Sequence, residues 1–331
     1  MGVRAPILAF RPSRVVERLG PRSAACPLSS RDLLRAAAAA HVPLPLVLAP
    51  TPAVVRAALV AAKQARSLVG LALPAGSDPE PWFWSVIDAA DTLAALWPIF
   101  LSGEVVVEGT EPRSLEAATA EAWRLADAGL THLAVDLTAL PAEARADALQ
   151  AVAEPAVARG MGLECLVEAG AARGVPALFS ALADDDAQPD MASLQCEAPA
   201  GPAEAQAQVK SLLELCGRLS GTPILRRGPV TPALLASLRG APVAGCDDGG
   251  AAAAAVLEAV AAEGLELAEA VGRRGPGALA RAEAALSEPG RARLETRAYL
   301  KVLDFLEQLG ASGSAPRVAE ALGRLAAAGG P

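Results

Sequence analysis

The residues able to do chemistry fall at the ends of short apolar runs. Glu104 follows Ile99 to Leu101 across Ser102-Gly103, and Asp136 lies within Leu133 to Leu137. A carboxyl group at such a place can serve as a general acid or base, with the second carboxyl as its partner. Arg226-Arg227-Gly228 closes a run that starts at Pro223, and Asp247-Asp248-Gly249-Gly250 follows another that ends at Cys246. Arginine grips phosphate through parallel N–H bonds, so Arg226, Arg227 and Gly228 form a candidate anion site, with Asp247 beside it. The Gly249-Gly250 turn offers further N–H groups, against the repulsion of the two aspartates. Cys196 and Cys246, flanked by Glu197 and Asp247, are a candidate soft metal site. Each group also has a plainer use: the charged residues can pair with one another inside the fold, and the cysteines can fill small apolar gaps.

Positioning those residues requires strands and helices in alternation. Thr131 to Gly170 reads as strand, helix, strand: Leu133 to Leu137 and Leu163 to Val167 are nearly continuous apolar runs, and Leu149, Val152 and Ala156 recur at helical spacing between them. Pro141 suits a first helical position, and Pro155 should kink the helix. So long a connection makes the strands parallel. Further strands are expected at Leu44 to Ala49, Leu68 to Leu73, Met191 to Gln195, Pro223 to Arg226 and Val243 to Cys246. The third is expected at Ile99 to Leu101 or Val105 to Val107, with Ser102-Gly103-Glu104 as a break. Intervening helices are expected over Asp32 to Ala40, Pro52 to Arg66, Pro202 to Leu219 and Pro232 to Arg239. The stretch PEPWFWSVIDAADTL is expected to begin as a loop, and Ser114 to cap a helix ending at Gly129. Trp82-Phe83-Trp84 reads as a lid or interface patch, or as core. Eight such alternations predict a TIM (β/α)8 barrel over 26–275, with a C-terminal helical extension over 276–331 broken near Pro289-Gly290 and Gly310 to Pro316. An open doubly wound sheet is disfavoured, because no G-x-G-x-x-G follows the first strand.

Composition narrows the function classes. The 331 residues are 53% hydrophobic and 20% charged, with a net charge of -8, which argues against broad binding to nucleic acid or anionic membrane. Five scattered cysteines without a C-x-x-C indicate neither a disulfide framework nor a zinc ribbon, and suit a reducing cytoplasm. The alanine tracts are helix formers, not membrane spans. Residues 1–25 carry several arginines and the single acid Glu17, and are expected to be a poorly ordered extension.

Local wording resembles the class II (metal-dependent) fructose-bisphosphate and tagatose-bisphosphate aldolases. The resemblance is collinear from about residue 26 to 315 and runs through CPLSSRDLLRAA, PTPAVVRAALVAAKQARSLVGLAL, SLEAATAEAWRLADAGLTHLAVDL, TPILRRGPVTPALLASLRGAPVAGCDD and YLKVLDFLEQLGASGSA. It implies a barrel in which histidines hold a divalent ion that polarises a ketose carbonyl while an acid moves protons. The matching positions depart from that pattern. The third-strand His-x-Asp-His run is Ser102-Gly103-Glu104-Val105 here. The fifth strand keeps Glu164 but has Leu166 at the next acidic position, and Arg227 stands where the seventh-strand histidine belongs. Only His41 and His132 exist, both ahead of strands and so at the end of the barrel away from the mouth.

These departures from the family pattern point to no zinc cofactor and to a degenerate, non-catalytic homologue acting as a binding or accessory subunit. The alternatives are a sugar-phosphate aldolase of altered mechanism or with a rebuilt metal site, and a structural spacer. A small anionic or phosphorylated ligand is expected at Arg226-Arg227-Gly228. The tail helix Leu294 to Leu309 is expected to pack on the barrel and to support a homodimer or a hetero-oligomer with an active paralogue.

Overall fold

The computed structural model describes residues 6–20, 22–94, 97–183, 187–219, 222–239, 241, 245–265 and 277–328. Eight parallel strands close on themselves: β1 Leu44–Leu48, β2 Val69–Ala72, β3 Ile99–Val106, β4 His132–Asp136, β5 Gly162–Glu168, β6 Met191–Gln195, β7 Ile224–Arg227 and β8 Gly245–Asp247, with β8 returning to β1 through Leu44 opposite Gly245. The helices are α1 Ser13–Leu19, α2 Ser30–Ala40, α3 Pro52–Ala65, α4 Pro79–Thr92, α5 Pro112–Asp127, α6 Arg145–Arg159, α7 Val175–Ala181, α8 Pro202–Arg218, α9 Pro232–Leu238, α10 Ala251–Ala262, α11 Ala278–Ala285, α12 Glu288–Leu309 and α13 Ser314–Ala327. This is a TIM barrel with helices added at both ends of the chain.

Strand parity sorts side chains between two cores. Leu163, Cys165 and Val167 of β5 face the helix layer, whereas Leu44, Leu46, Phe100, Met191 and Leu225 fill the barrel interior. Phe100 needs a neighbour without a side chain: a Cβ on Gly70 would lie 2.1 Å from its ring. The interior core continues out of the N-terminal end of the barrel into α2, through Leu33 and Ala37, and onward to Val318 and Leu322 of α13. Helix α2 thus plugs that end, and α13 covers the plug.

Several sequence expectations are corrected. The third strand is continuous, because Ser102 and Glu104 point into the barrel while Gly103 meets the helix layer, where a Cβ would lie 2.6 Å from Leu130. Helix α4 starts at Pro79, so PEPWFWS is helical; the side chain of Asp78 accepts the Glu80 N–H and Pro79 sits in the first turn. Trp82 and Phe83 are core, Trp82 donating its indole N–H to the Ala49 carbonyl at 2.7 Å, while Trp84 is exposed. Ser114 lies inside α5 rather than capping it, because Pro112 already opens the helix. Pro141 precedes a turn of 3-10 helix, and α6 starts four residues later at Arg145.

In place of a poorly ordered extension, residues 6–20 carry a 3-10 turn and α1. Val15 is buried there, and Arg14 donates to the Ala126 and Leu130 carbonyls. Arg14 and Arg18 tie the segment to the end of α5, and Arg11 ties it to the Ser23 and Ala25 carbonyls. Helix α12 lies over α3 and α10 with Leu294, Val302, Leu306 and Leu309 buried, and its Ser287 cap accepts the Gly290 N–H at 3.1 Å. The first residues expected of the eighth strand, 243 and 244, and the boundary at 275–276 lie outside the described residues.

Candidate functional site

The C-terminal ends of the strands surround a cavity of about 440 Å³, within the range of small-molecule sites. Glu104 of β3, Asp136 of β4, Gln195 of β6, Arg227 of β7 and Asp247 of β8 all line it, because each is the last or near-last inward residue of its strand. Leu46, Leu48 and Leu166 give it an apolar wall. The structure therefore brings Glu104, Asp136, Arg227, Gly228 and Asp247 together.

Arg227 organises the floor. It donates from Nε to Glu164 Oε1 and from Nη2 to Glu164 Oε2, both at 2.8 Å, and from Nη1 to Glu104 Oε2 at 3.4 Å. Glu164 is wholly buried; burial alone would raise its carboxyl, but the Arg227 charge and a hydrogen bond from His132 hold it well below the usual carboxylate range. Burial likewise pulls down on Arg227, and the two glutamates outweigh that and raise it. Glu104 is pushed up by burial and by the neighbouring Asp136 and Glu164 carboxylates, with Arg227 opposing.

Beneath Arg227 the polar chain continues along the barrel axis. His132 Nε2 lies 2.7 Å from Glu164 Oε2, and its Nδ1 lies 2.7 Å from Ser30 Oγ at the start of α2. Phe100 meets the imidazole edge-on. Ser30, His132 and Glu164 thus share the residue types of a nucleophilic relay, yet all three are sealed from solvent and Glu164 is spent on Arg227. Their geometry holds Arg227 in place and leaves no route for a substrate to the serine. His132 was placed by sequence at the far end of the barrel, and it does begin there. Its side chain, however, shares the inward face with Ala134 and Asp136, as the alternation of a strand dictates.

Arg226, expected in the anion site, points the other way. It is fully buried against α8, donating to the Gly228 carbonyl at 2.7 Å, the Glu197 carbonyl at 3.0 Å and Gln208 Oε1. It braces the loops after β6 and β7. The Gly228 N–H is also occupied, donating to Asp247 at 3.0 Å, and the Gly249 N–H donates to the same carboxylate at 3.2 Å. Burial pushes the Asp247 carboxyl up to about 7, with the Arg227 charge and these N–H bonds opposing. Asp248 caps α10 through the Gly250 and Ala252 N–H groups. Asp136 accepts the Thr138 N–H at 2.8 Å in a local turn.

Cys196 and Cys246, a candidate soft metal pair, are each engaged separately. The two thiols donate locally, to the Leu194 and Asp247 carbonyls, and burial raises both. Among the described residues no group of three or more His, Cys, Asp or Glu side chains converges as metal ligands. The divalent ion that the resemblance implies does not fit the mouth either. A guanidinium already stands between Glu164 and Glu104, and like charges repel by about 4 kcal/mol per unit charge at 4 Å in a partly screened site.

No protein-family model matches the sequence, and no protein of curated function is similar to it. Solved structures are. The YdjI aldolase from Escherichia coli K12 superposes with a TM-score of 0.58 at 12% identity, covering 86% of this chain and 98% of that one. A putative fructose-1,6-bisphosphate aldolase from Coccidioides immitis gives 0.60 at 14% identity, over 86% and 96%. A probable tagatose 6 phosphate kinase from Sinorhizobium meliloti 1021 gives 0.53 at 19% identity, over 86% and 98%. The likeness is one of fold, and that fold is shared with aldolase-type barrels.

Proposed function

We propose that this chain is an aldolase-type barrel that has left metal-dependent catalysis and serves as a binding or accessory subunit, with its ligand held at the barrel mouth. The observation that carries the reading is the two-point salt bridge from Arg227 to Glu164, which puts a guanidinium, with no coordination position to offer, where a metal mechanism needs a Lewis acid. The cavity above it supports a retained binding role. A cytoplasmic setting suits the free cysteines among the described residues, and no described helix is long and apolar enough to cross a membrane. A homodimer, or a complex with an active paralogue, belongs to the same reading.

The test is a coupled assay for fructose 1,6-bisphosphate cleavage with zinc, cobalt or manganese added. No turnover is expected. Turnover abolished by a chelator and by Glu104→Gln would overturn the reading. A specific observation favours a second one, an aldolase of altered mechanism: Glu104 and Asp247 line one cavity, and burial raises both carboxyls, so that either could carry a proton for acid–base work. Metal-independent cleavage, lost in Glu104→Gln and in Asp247→Asn, would select it.

A further inference from the structure

Arginine carries five N–H donors. In Arg227, two reach Glu164 and one makes the longer contact with Glu104; the other two have no acceptor among the described residues. The side chain is only 8% exposed and lines the mouth cavity, so those donors call for an acceptor brought in from outside. The other charged groups lining the cavity, Glu104, Asp136 and Asp247, are acceptors when ionised. Arg227 is already matched by the buried Glu164, so it lends the cavity no net positive charge.

The backbone donors of the mouth are committed as well. The N–H groups of Gly228 and Gly249, at positive φ of 107° and 58°, converge on Asp247 at 3.0 and 3.2 Å. They form an anion cradle whose anion is the chain's own carboxylate. Phosphate brings at least one full negative charge, which the neighbouring carboxylates would repel. An ammonium group could only donate, and would leave the spare Arg227 donors facing a cation. A hydroxyl both donates and accepts.

We infer that the mouth takes an uncharged, polyhydroxylated molecule and turns phosphate away, with one hydroxyl accepting from Arg227, its neighbours donating to Glu104 and Asp247, and carbon–hydrogen faces lying on Leu46, Leu48 and Leu166. This rests on the proposed binding role of the mouth.

The experiment is calorimetry of the full chain with xylitol and with inorganic phosphate, on wild type, Asp247→Ala and Glu104→Gln. Wild type is expected to bind xylitol saturably and phosphate at least about tenfold more weakly. Asp247→Ala vacates the cradle, and phosphate affinity should rise about tenfold or more while xylitol affinity falls. Glu104→Gln, at a side chain 27% exposed, should shift both affinities the same way and serves if Asp247→Ala does not fold. Phosphate bound by wild type as tightly as xylitol would overturn the inference, as would binding of neither while both variants are folded. Fructose 1,6-bisphosphate turnover in the coupled assay would sink the proposed function and the preference for neutral ligands together. Phosphate binding without turnover would sink the preference alone.

Discussion

Arg227 and Glu164 face each other across the barrel interior in a two-point salt bridge, with both N–O distances at 2.8 Å and the carboxylate wholly sealed from water. Removing one member of a buried pair strands the other charge, which costs about 3–5 kcal/mol. Arg227→Met and Glu164→Gln should each lower stability by about that much in urea denaturation, and Arg227→Met combined with Glu164→Leu should cost far less than the sum. Additive losses would mean that the pair is not coupled.

Stability should fall as pH rises toward neutrality because of Asp247. Its folded value is about 7 against an ordinary 3.8, so its protonated form is favoured by folding. The stability it contributes is fully present below pH 3.8 and is lost as pH rises through 7. Glu164 has the opposite sign: held low, it stabilises above the ordinary carboxylate range and loses that contribution in acid. Urea midpoints between pH 5 and 7.5 should therefore show a decline of up to about 1.4 kcal/mol per pH unit that Asp247→Asn removes. A decline unchanged in that variant would place its origin elsewhere.

Much of the barrel is legible in the sequence, because short, nearly continuous apolar runs report strands buried on both faces whatever their chemistry. The third strand was harder to read. Ser102 and Glu104 break an apolar run only if every residue must face a helix, and they face the barrel interior, whose mouth tolerates polar groups. The candidate site was legible in its residue types and not in their directions. Arg226 and Arg227 are adjacent, so a strand sends them to opposite faces, and only Arg227 enters the mouth. Parity also places His132 and Glu164 inside. The bond from His132 to Ser30 was not readable, because it depends on α2 docking across the barrel end 102 residues away in sequence.

The fit of Phe100 against β2 gives a packing test. Gly70→Ala would put a methyl 2.1 Å from the ring and should cost about 1–3 kcal/mol, and Phe100→Leu in the same chain should return part of it. A neutral Gly70→Ala would show that the barrel floor is looser than described.

Cysteine labelling separates buried from reachable thiols. Burial raises all five thiols, but Cys26, Cys165, Cys196 and Cys246 are buried whereas Cys216 is only half-buried. In native protein a thiol reagent should label one cysteine quickly, and Cys216→Ser should abolish that phase. Fast labelling of Cys196 or Cys246 would reopen a soft metal site at the mouth.

The displacement of a metal by Arg227 is tested most directly by titrating tag-free wild-type protein with Mn²⁺ and counting bound ions by electron paramagnetic resonance. No stoichiometric ion should bind, since the guanidinium stands between Glu104 and Glu164. One tightly bound equivalent, released by Glu104→Gln, would contradict it.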